Sequence, residues 1–309
     1  MRVFLIALGV CLLTACSPDT GLPASLVDRQ RILAVRAEPA ESLLGEIVHY
    51  TALVASPDGT LLGDDLAWSV CVVRKSIDEN TPVAQGCVLS DLKESARGSS
   101  VAIKTPTSAC VNFGPLAPPS SAGTLRPTDP DSTIGYYLPI RLVLNGSIAM
   151  VRERVRCDPV GASLALYQSF RDHYLSNLNP TIIGVAASVG GVPVDLDHLP
   201  ANQPIQFTVE WAPESAEGYF APDPTTQTLV DRRESMTVAW FATAGRFDEA
   251  TTGRGEGDPG TYATNLWQSP SAGVVHAWFV LRDSRGGTDF LGRDLVVVAS
   301  PPASMDNMN

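Results

Sequence analysis

The sequence predicts an all-β chain: two antiparallel β-sandwich domains joined by a short α-helix. Three observations lead there. Apolar residues recur at every second position in short runs, turn residues bound those runs, and helical spacing occurs in one stretch only. With 309 residues, 44% of them hydrophobic, the chain is long enough for about two domains, and 25 Gly and 24 Pro supply the turns. The formal charge of -11 excludes a strongly basic nucleic-acid binder, so no nucleic-acid partner is expected. Only one apolar run approaches membrane-spanning length, and it sits at the very start.

That start carries its own pattern. Arg2 is followed by apolar residues 3–13 and then by Leu13-Thr14-Ala15-Cys16. The pattern resembles a bacterial lipoprotein signal peptide. The resemblance implies removal of residues 1–15, a diacylglyceryl thioether on Cys16 and an N-acyl chain on the new terminus, with several chains anchoring stably where one would not. Ser17 implies sorting to the outer membrane, giving a lipid-anchored protein that faces the periplasm or the surface. Residues 16–29 lack periodicity and read as the lipidated cysteine and a flexible tether.

In the first half, residues 47–54 alternate through Val48, Tyr50, Ala52 and Val54, and residues 66–73 through Leu66, Trp68, Val70 and Val72. Pro39, Gly45 and Ser56-Pro57-Asp58-Gly59 punctuate them. Residues 134–144 and 148–157 are strand-like about Asn145-Gly146, a strong hairpin signal. Residues 105–133, rich in Pro, Ser and Gly, read as a long loop. Residues 163–178 place Leu164, Tyr167, Phe170 or Arg171, Tyr174 and Leu178 at three- and four-residue spacing, and Asn179-Pro180 ends the helix. Its aromatic stripe is expected to pack on a sheet.

The second half repeats the strand pattern. Ile205, Phe207, Val209 and Trp211 alternate with polar residues, as do Met236, Val238, Trp240 and Ala242 before Gly245. Residues 274–281 and 294–299 complete it, with no helix between parallel strands to suggest a doubly wound sheet. The resulting division is 1–15 signal peptide, 16–29 tether, 30–158 first domain, 159–179 helical linker, 180–300 second domain and 301–309 disordered tail.

Pro39, Gly45-Glu46, Val48, Tyr50 and Ala52 resemble the first two strands of bacterial immunoglobulin-like domains. The segment from Val280 through Leu281, Arg282, Asp283, Ser284 and Arg285 to Gly286-Gly287 is similar to the closing segment of polycystic-kidney-disease-type surface modules, where an Asp-containing turn precedes the last strand. Both resemblances imply an immunoglobulin-like fold and an extracytoplasmic setting.

Four cysteines follow Cys16: Cys71, Cys87, Cys110 and Cys157. In an exported chain this even count favours two disulfides among three connectivities. Trp68 and Cys71 have opposite strand parity, so with Trp68 inward Cys71 points away. That favours a peripheral staple from Cys71 to Cys87, leaving Cys110 for Cys157. The gaps are long, no Cys-x-x-Cys occurs and His49, His173, His198 and His276 are scattered, which weighs against zinc.

The remaining motifs carry little chemistry. Gly255-Glu256-Gly257-Asp258-Pro259-Gly260 has dinucleotide-loop spacing, but its acids would repel a pyrophosphate. Ser90-Asp91-Leu92-Lys93 has an acyltransferase spacing without companion motifs. Asp248, Glu249, Glu256 and Asp258 offer oxygen ligands for calcium, but without the ordered loop pattern a solvated acidic loop is favoured. Arg152, Arg154 and Arg156 share one strand face, which suits either phosphate contact at a membrane or protection of an outward sheet face.

The expected protein is therefore a membrane-anchored extracytoplasmic lipoprotein, a non-catalytic structural or interaction module of the cell envelope. It needs no cofactor, and its partners are the membrane and an envelope protein or polysaccharide. The alternatives are an envelope enzyme or carbohydrate-handling protein with its site at the domain junction, and a calcium-stabilised adhesin. An enzyme requires a pocket with convergent ionisable groups, whereas a module requires only scattered ones.

Overall fold

The computed structural model describes residues 23–61, 64–76, 78–114, 133, 135–158, 162–223 and 225–299. Cys16, the signal segment 1–15, most of the 105–133 loop and the tail 301–309 lie outside the described residues.

The first half contributes β1 (Arg31–Glu38), β2 (Glu41–Ser42), β3 (Ile47–Ser56), β4 (Gly59–Leu61), β5 (Ala67–Val70), β6 (Ala96–Arg97), β7 (Ser100–Lys104), β8 (Tyr136–Leu144) and β9 (Ser147–Val155). Strands β1, β4 and β7 pair with β3 in one sheet, and the other has the order β2-β9-β8-β5-β6. Val48, Tyr50 and Val54 from the first sheet meet Trp68, Ile140 and Leu142 from the second in one core. The β8–β9 hairpin turns through Asn145 and Gly146, both at positive φ (48° and 78°), the two-residue geometry that Asn-Gly favours.

The second half contributes β10 (Ile182–Val189), β11 (Val192–Val194), β12 (Leu199–Pro200), β13 (Pro204–Trp211), β14 (Gly218–Asp223), β15 (Thr228–Arg233), β16 (Met236–Ala242), β17 (Arg246–Phe247), β18 (Thr251–Arg254), β19 (Tyr262–Gln268), β20 (Gly273–Asp283) and β21 (Thr288–Val298). They form sheets of order β11-β10-β13-β19-β17 and β12-β21-β20-β16-β18, with β14–β15 as a separate hairpin. The alternation expected for β13 holds at every position: Ile205, Phe207, Val209 and Trp211 are buried, while Pro204, Gln206 and Glu210 are exposed. Phe207, Trp240, Phe247, Trp267 and Phe279 interlock in this core, with ring centroids 5.6–6.3 Å apart.

Both halves follow one plan. The first two long strands pair, the chain crosses to the other sheet for the third (β5, β16), and a closing hairpin (β8–β9, β20–β21) packs beside it, the immunoglobulin-type arrangement. One feature departs from a purely antiparallel design: β2 runs parallel to β9, and β12 to β21.

The two sandwiches pack side by side. Leu33, Ala34, Leu53 and Ala55 from the β1–β3 face form a third apolar core with Ala239, Trp278 and Val280 from the β16–β20 face. Trp278 Nε1 also donates to Thr60 Oγ1 across the seam (2.8 Å). The joint is therefore sheet on sheet. Helix α3 (Leu164–His173; the two shorter helices are described with the disulfides below) is capped by Ser163, whose Oγ accepts from Leu166 N. It buries Leu166 and Phe170, and its last residue, His173, meets Phe220 of β14 edge-on, ring centroids 5.6 Å apart. It stops five residues short of the predicted end, because Tyr174 and the backbone N–H of Asn177 bond to Glu41 instead.

The expected tether is also corrected. From Pro23 on it is held to the body: Val27 N donates to Ala242 O (2.9 Å), Ala242 N donates to Ser25 O (3.0 Å), and Val27 is fully buried. Beyond its pairing with β18, which ends at Ala239, the β16 edge would leave Ala242 backbone groups unpaired, and the segment satisfies them. Arg31 fastens the same segment by donating to the carbonyls of Ala24 (2.9 Å) and Leu26 (3.1 Å).

Candidate functional site

A cluster of ionisable groups lies where the two sandwiches meet, around Arg285. This arginine follows Asp283 at the β20–β21 turn. Asp283 Oδ1 accepts from the backbone N–H groups of Arg285 (2.8 Å) and Gly287 (2.9 Å), which closes the turn. Residue 287 must be glycine here, since a Cβ would stand 2.0 Å from Asp283 Oδ2 and 2.7 Å from Leu178 O. The turn aims the Arg285 guanidinium inward, where it is 1% exposed.

Its partners come from both halves. Arg285 Nη2 donates to Leu175 O (2.6 Å) and lies 3.4 Å from Glu41 Oε2, while Nη1 lies 3.6 Å from Glu234 Oε1 and 3.9 Å from Glu217 Oε2. Its guanidinium carbon sits 4.8 Å from the Tyr219 ring centroid. Glu41 is shared: Arg154 Nε reaches it at 3.4 Å, Tyr174 donates its hydroxyl to Oε1, and Asn177 N donates to Oε2 (3.0 Å). In the orientation that satisfies both its atoms, the Asn177 amide donates to Glu234 Oε1 (2.7 Å) and accepts from Gly287 N (3.0 Å).

Burial sets the proton affinities of this ring. Loss of hydration, and then the charge of nearby Asp283, push the Glu234 carboxyl up from 4.5 to about 8. Asp283 is raised as well, chiefly by burial. Tyr174 is raised by burial and by the Glu41 charge. A folded-state value above the unfolded one means that folding takes up a proton. The resulting stabilisation is complete below the unfolded value of 4.5 and is lost as pH rises through about 8. We therefore expect the melting temperature of the wild type to fall relative to Glu234→Gln as pH is raised from about 5 to 8. Parallel melting curves for the two proteins across that range would refute the assignment.

The ring has the residues of an acid–base site without access. Glu41 (5%), Glu234 (1%) and Arg285 (1%) are shut away from water. A neighbouring groove of about 420 Å³ between the sandwiches is lined by Tyr137, Arg152, Glu153, Arg154, Arg282 and Asp283, but not by Glu41, Glu217, Glu234 or Arg285, and burial raises the Glu153 carboxyl well above its ordinary value. What the arrangement does in this state is neutralise charge from the two sandwiches against each other.

The residues singled out by sequence fall as follows. Cys71 is bonded to Cys87 and Cys110 to Cys157. The first bridge sits in a small apolar cluster with Val83 and Ala84, away from the main core, next to helix α1 (Gln85–Leu89). The second holds helix α2 (Ala109–Phe113) against β8 and β9 through Ala109, Leu138 and Val155. Neither of these five-residue helices shows helical periodicity in sequence. Cys16 lies outside the described residues.

Asp248, Glu249, Glu256 and Asp258 are not assembled. Glu256 pairs with Arg232 and Asp258 with Arg254 (2.9 Å), and among the described residues no group of three His, Cys, Asp or Glu side chains could hold a metal ion. The arginine stripe is split: Arg152 stays exposed and Arg156 half-buried, while Arg154 is buried. Arg154 is 4% exposed in the ring, Arg152 stacks over Tyr137 (5.0 Å) and Arg156 over Tyr174 (4.3 Å), because the second half covers this end of β9. Ser90 and Lys93 lie in irregular chain after α1, so their spacing does not place them one helical turn apart, and Gly255–Gly260 connects two strands rather than opening a helix.

No protein-family model matches the chain, and no curated protein matches it. Among solved structures it is similar to the D00-D0 domain of intimin (10% identity; 87% of this chain and 98% of that one; TM-score 0.25). It is also similar to the fibronectin(III)-like modules of Clostridium thermocellum CbhA (11% identity; 89% and 98%; TM-score 0.25) and to a chimeric titin Z1Z2 tandem (11% identity; 87% and 100%; TM-score 0.24). The chain described here is mostly β, with the immunoglobulin-type strand order set out above.

Proposed function

We propose that this chain is a lipid-anchored, non-catalytic module of the bacterial cell envelope, built as two immunoglobulin-like domains (30–158 and 180–300) linked through the α3 segment and held as one rigid body. The observation that carries the reading is the buried ring, whose Glu41–Arg285 pair, with Arg154 and Glu234 beside it, spends its charges on joining the sandwiches. Two disulfides in the first half accord with an oxidising compartment. The lipoprotein signal pattern at residues 1–16 supplies the route out of the cytoplasm and the anchor. The partners that suit such a body are an envelope protein or polysaccharide, met by loops and sheet faces.

Cys16→Ser tests the anchor. The wild type, expressed in a two-membrane bacterium, is expected in the detergent phase on phase partitioning, with an N-terminal peptide whose mass shows an acylated Cys16. The variant is expected in the aqueous phase. A wild type recovered without acyl mass, or a variant that partitions with it, would overturn the reading.

A further inference from the structure

Contacts along the seam show that the two sandwiches lie with their ends aligned. Gly59 faces His276, with a Cβ there meeting the ring at 3.5 Å, and Thr60 bonds Trp278. Farther along, Arg282 donates to Leu33 O (3.1 Å), Arg36 pairs with Asp289 (2.9 Å), and Glu41 meets Arg285. The body therefore has two ends, separated by the 11 residues of β20, roughly 34 Å of strand.

The ends differ in what they carry. At the first, β1 begins, β16 ends and the chain-start segment is clamped to Ala242. At the second lie the sealed ring, Cys71 just past β5 and Cys157 just past β9, and the α3 and β14–β15 elements that grow out of the ring through Tyr174 and Glu217. Among the described residues, the cystine-stapled segments and the α3 and β14–β15 elements thus lie toward the end away from the clamp.

From Cys16 to Pro23 is seven residue steps, a reach of at most about 25 Å when fully extended. That is shorter than the body. We infer, resting on the proposed acylation of Cys16, that the chain-start end lies against the phospholipid headgroup surface and that the ring end points away from it. The first end offers suitable chemistry. Exposed Arg29 and Ile148 (48% exposed) flank a groove of about 520 Å³ between the chain-start segment and the β8–β9 hairpin, and Asn145 Nδ2 ties that hairpin to Gln30 Oε1 (2.6 Å). A guanidinium matches lipid phosphate, and an exposed isoleucine suits the headgroup–acyl boundary. Asp28 lines the same groove.

The test uses full-length acylated protein with a fluorophore on Ser147→Cys or, separately, on Thr226→Cys in the exposed turn between β14 and β15. Each is reconstituted in phosphatidylethanolamine–phosphatidylglycerol vesicles containing nitroxide-labelled headgroups. The Ser147→Cys probe is expected to lose fluorescence to the nitroxide and the Thr226→Cys probe to keep it. A flexible Gly-Ser insert of about twenty residues after Ser17 is expected to remove the loss. Equal quenching of both probes, stronger quenching at residue 226, or quenching indifferent to the insert overturns the orientation while an acylated Cys16 mass leaves the anchor intact. Absence of that mass overturns the anchor, and the orientation with it.

Discussion

Arg285→Ala is expected to cost about 3–5 kcal/mol of unfolding free energy, read as a lowered urea midpoint, because it strips the buried Glu41 carboxylate of a counter-charge. Glu41 is almost wholly shielded, and only Arg154 would remain to serve it. The truncation also removes the bond to Leu175 O and the packing over Tyr219. Arg285→Lys should recover only part of the loss, since an ammonium cannot present the planar fork to groups on two sides. Glu41→Gln combined with Arg285→Met should be less damaging than Arg285→Ala alone, because the double change withdraws charge from both partners. An unfolding free energy for Arg285→Ala within about 1 kcal/mol of wild type, on the order of ordinary surface substitutions, would show that the ring does not join the sandwiches.

Trp278→Ala is the second large effect, about 3–5 kcal/mol for an emptied aromatic site. Its consequence differs in kind. Trp278 is 1% exposed, yet it faces the first sandwich and not the aromatic core of its own, packing with Leu33, Ala34, Leu53 and Ala55. Removing it should weaken the seam and leave both internal cores whole. Calorimetry is expected to show one cooperative transition for the wild type and two resolved transitions for the variant. Trp240→Ala, which empties the second core itself, should instead lower the transition of that sandwich. A variant at residue 278 that still unfolds in a single transition near the wild-type temperature would mean that the halves are coupled elsewhere.

These expectations turn on residues that sequence patterning treats as surface. Asp283-Ser284-Arg285-Gly286-Gly287 reads correctly as a turn, and the turn is there, but an arginine in a turn is ordinarily solvated. Arg154 stands between Glu153 and Val155 on the strand face it shares with Arg152 and Arg156, which sequence reads as an outward face. Arg154 and Arg285 meet over Glu41 where the sandwiches come together, and Arg285 is covered further by Tyr219, Glu217 and Glu234 of its own half. Trp278 likewise alternates out of phase with the inward Ala277 and Phe279, so within its own sandwich it would be an exposed aromatic.

The sequence by itself determined the local matters. Period-two alternation set β3, β13 and β16 almost to the residue, Asn-Gly set the β8–β9 turn, and an even cysteine count with strand parity pointed to the two bridges. All of these depend on neighbours a few residues apart or on one sheet face, where side-chain direction follows from backbone geometry alone. Only tertiary structure decided how the sandwiches meet, that residues 23–29 are clamped to β16, and that Glu41, Arg154, Glu234 and Arg285 form one ring. Glu41 and Arg285 stand 244 positions apart in the chain, and no local periodicity relates groups whose contact arises from packing one finished sheet against another.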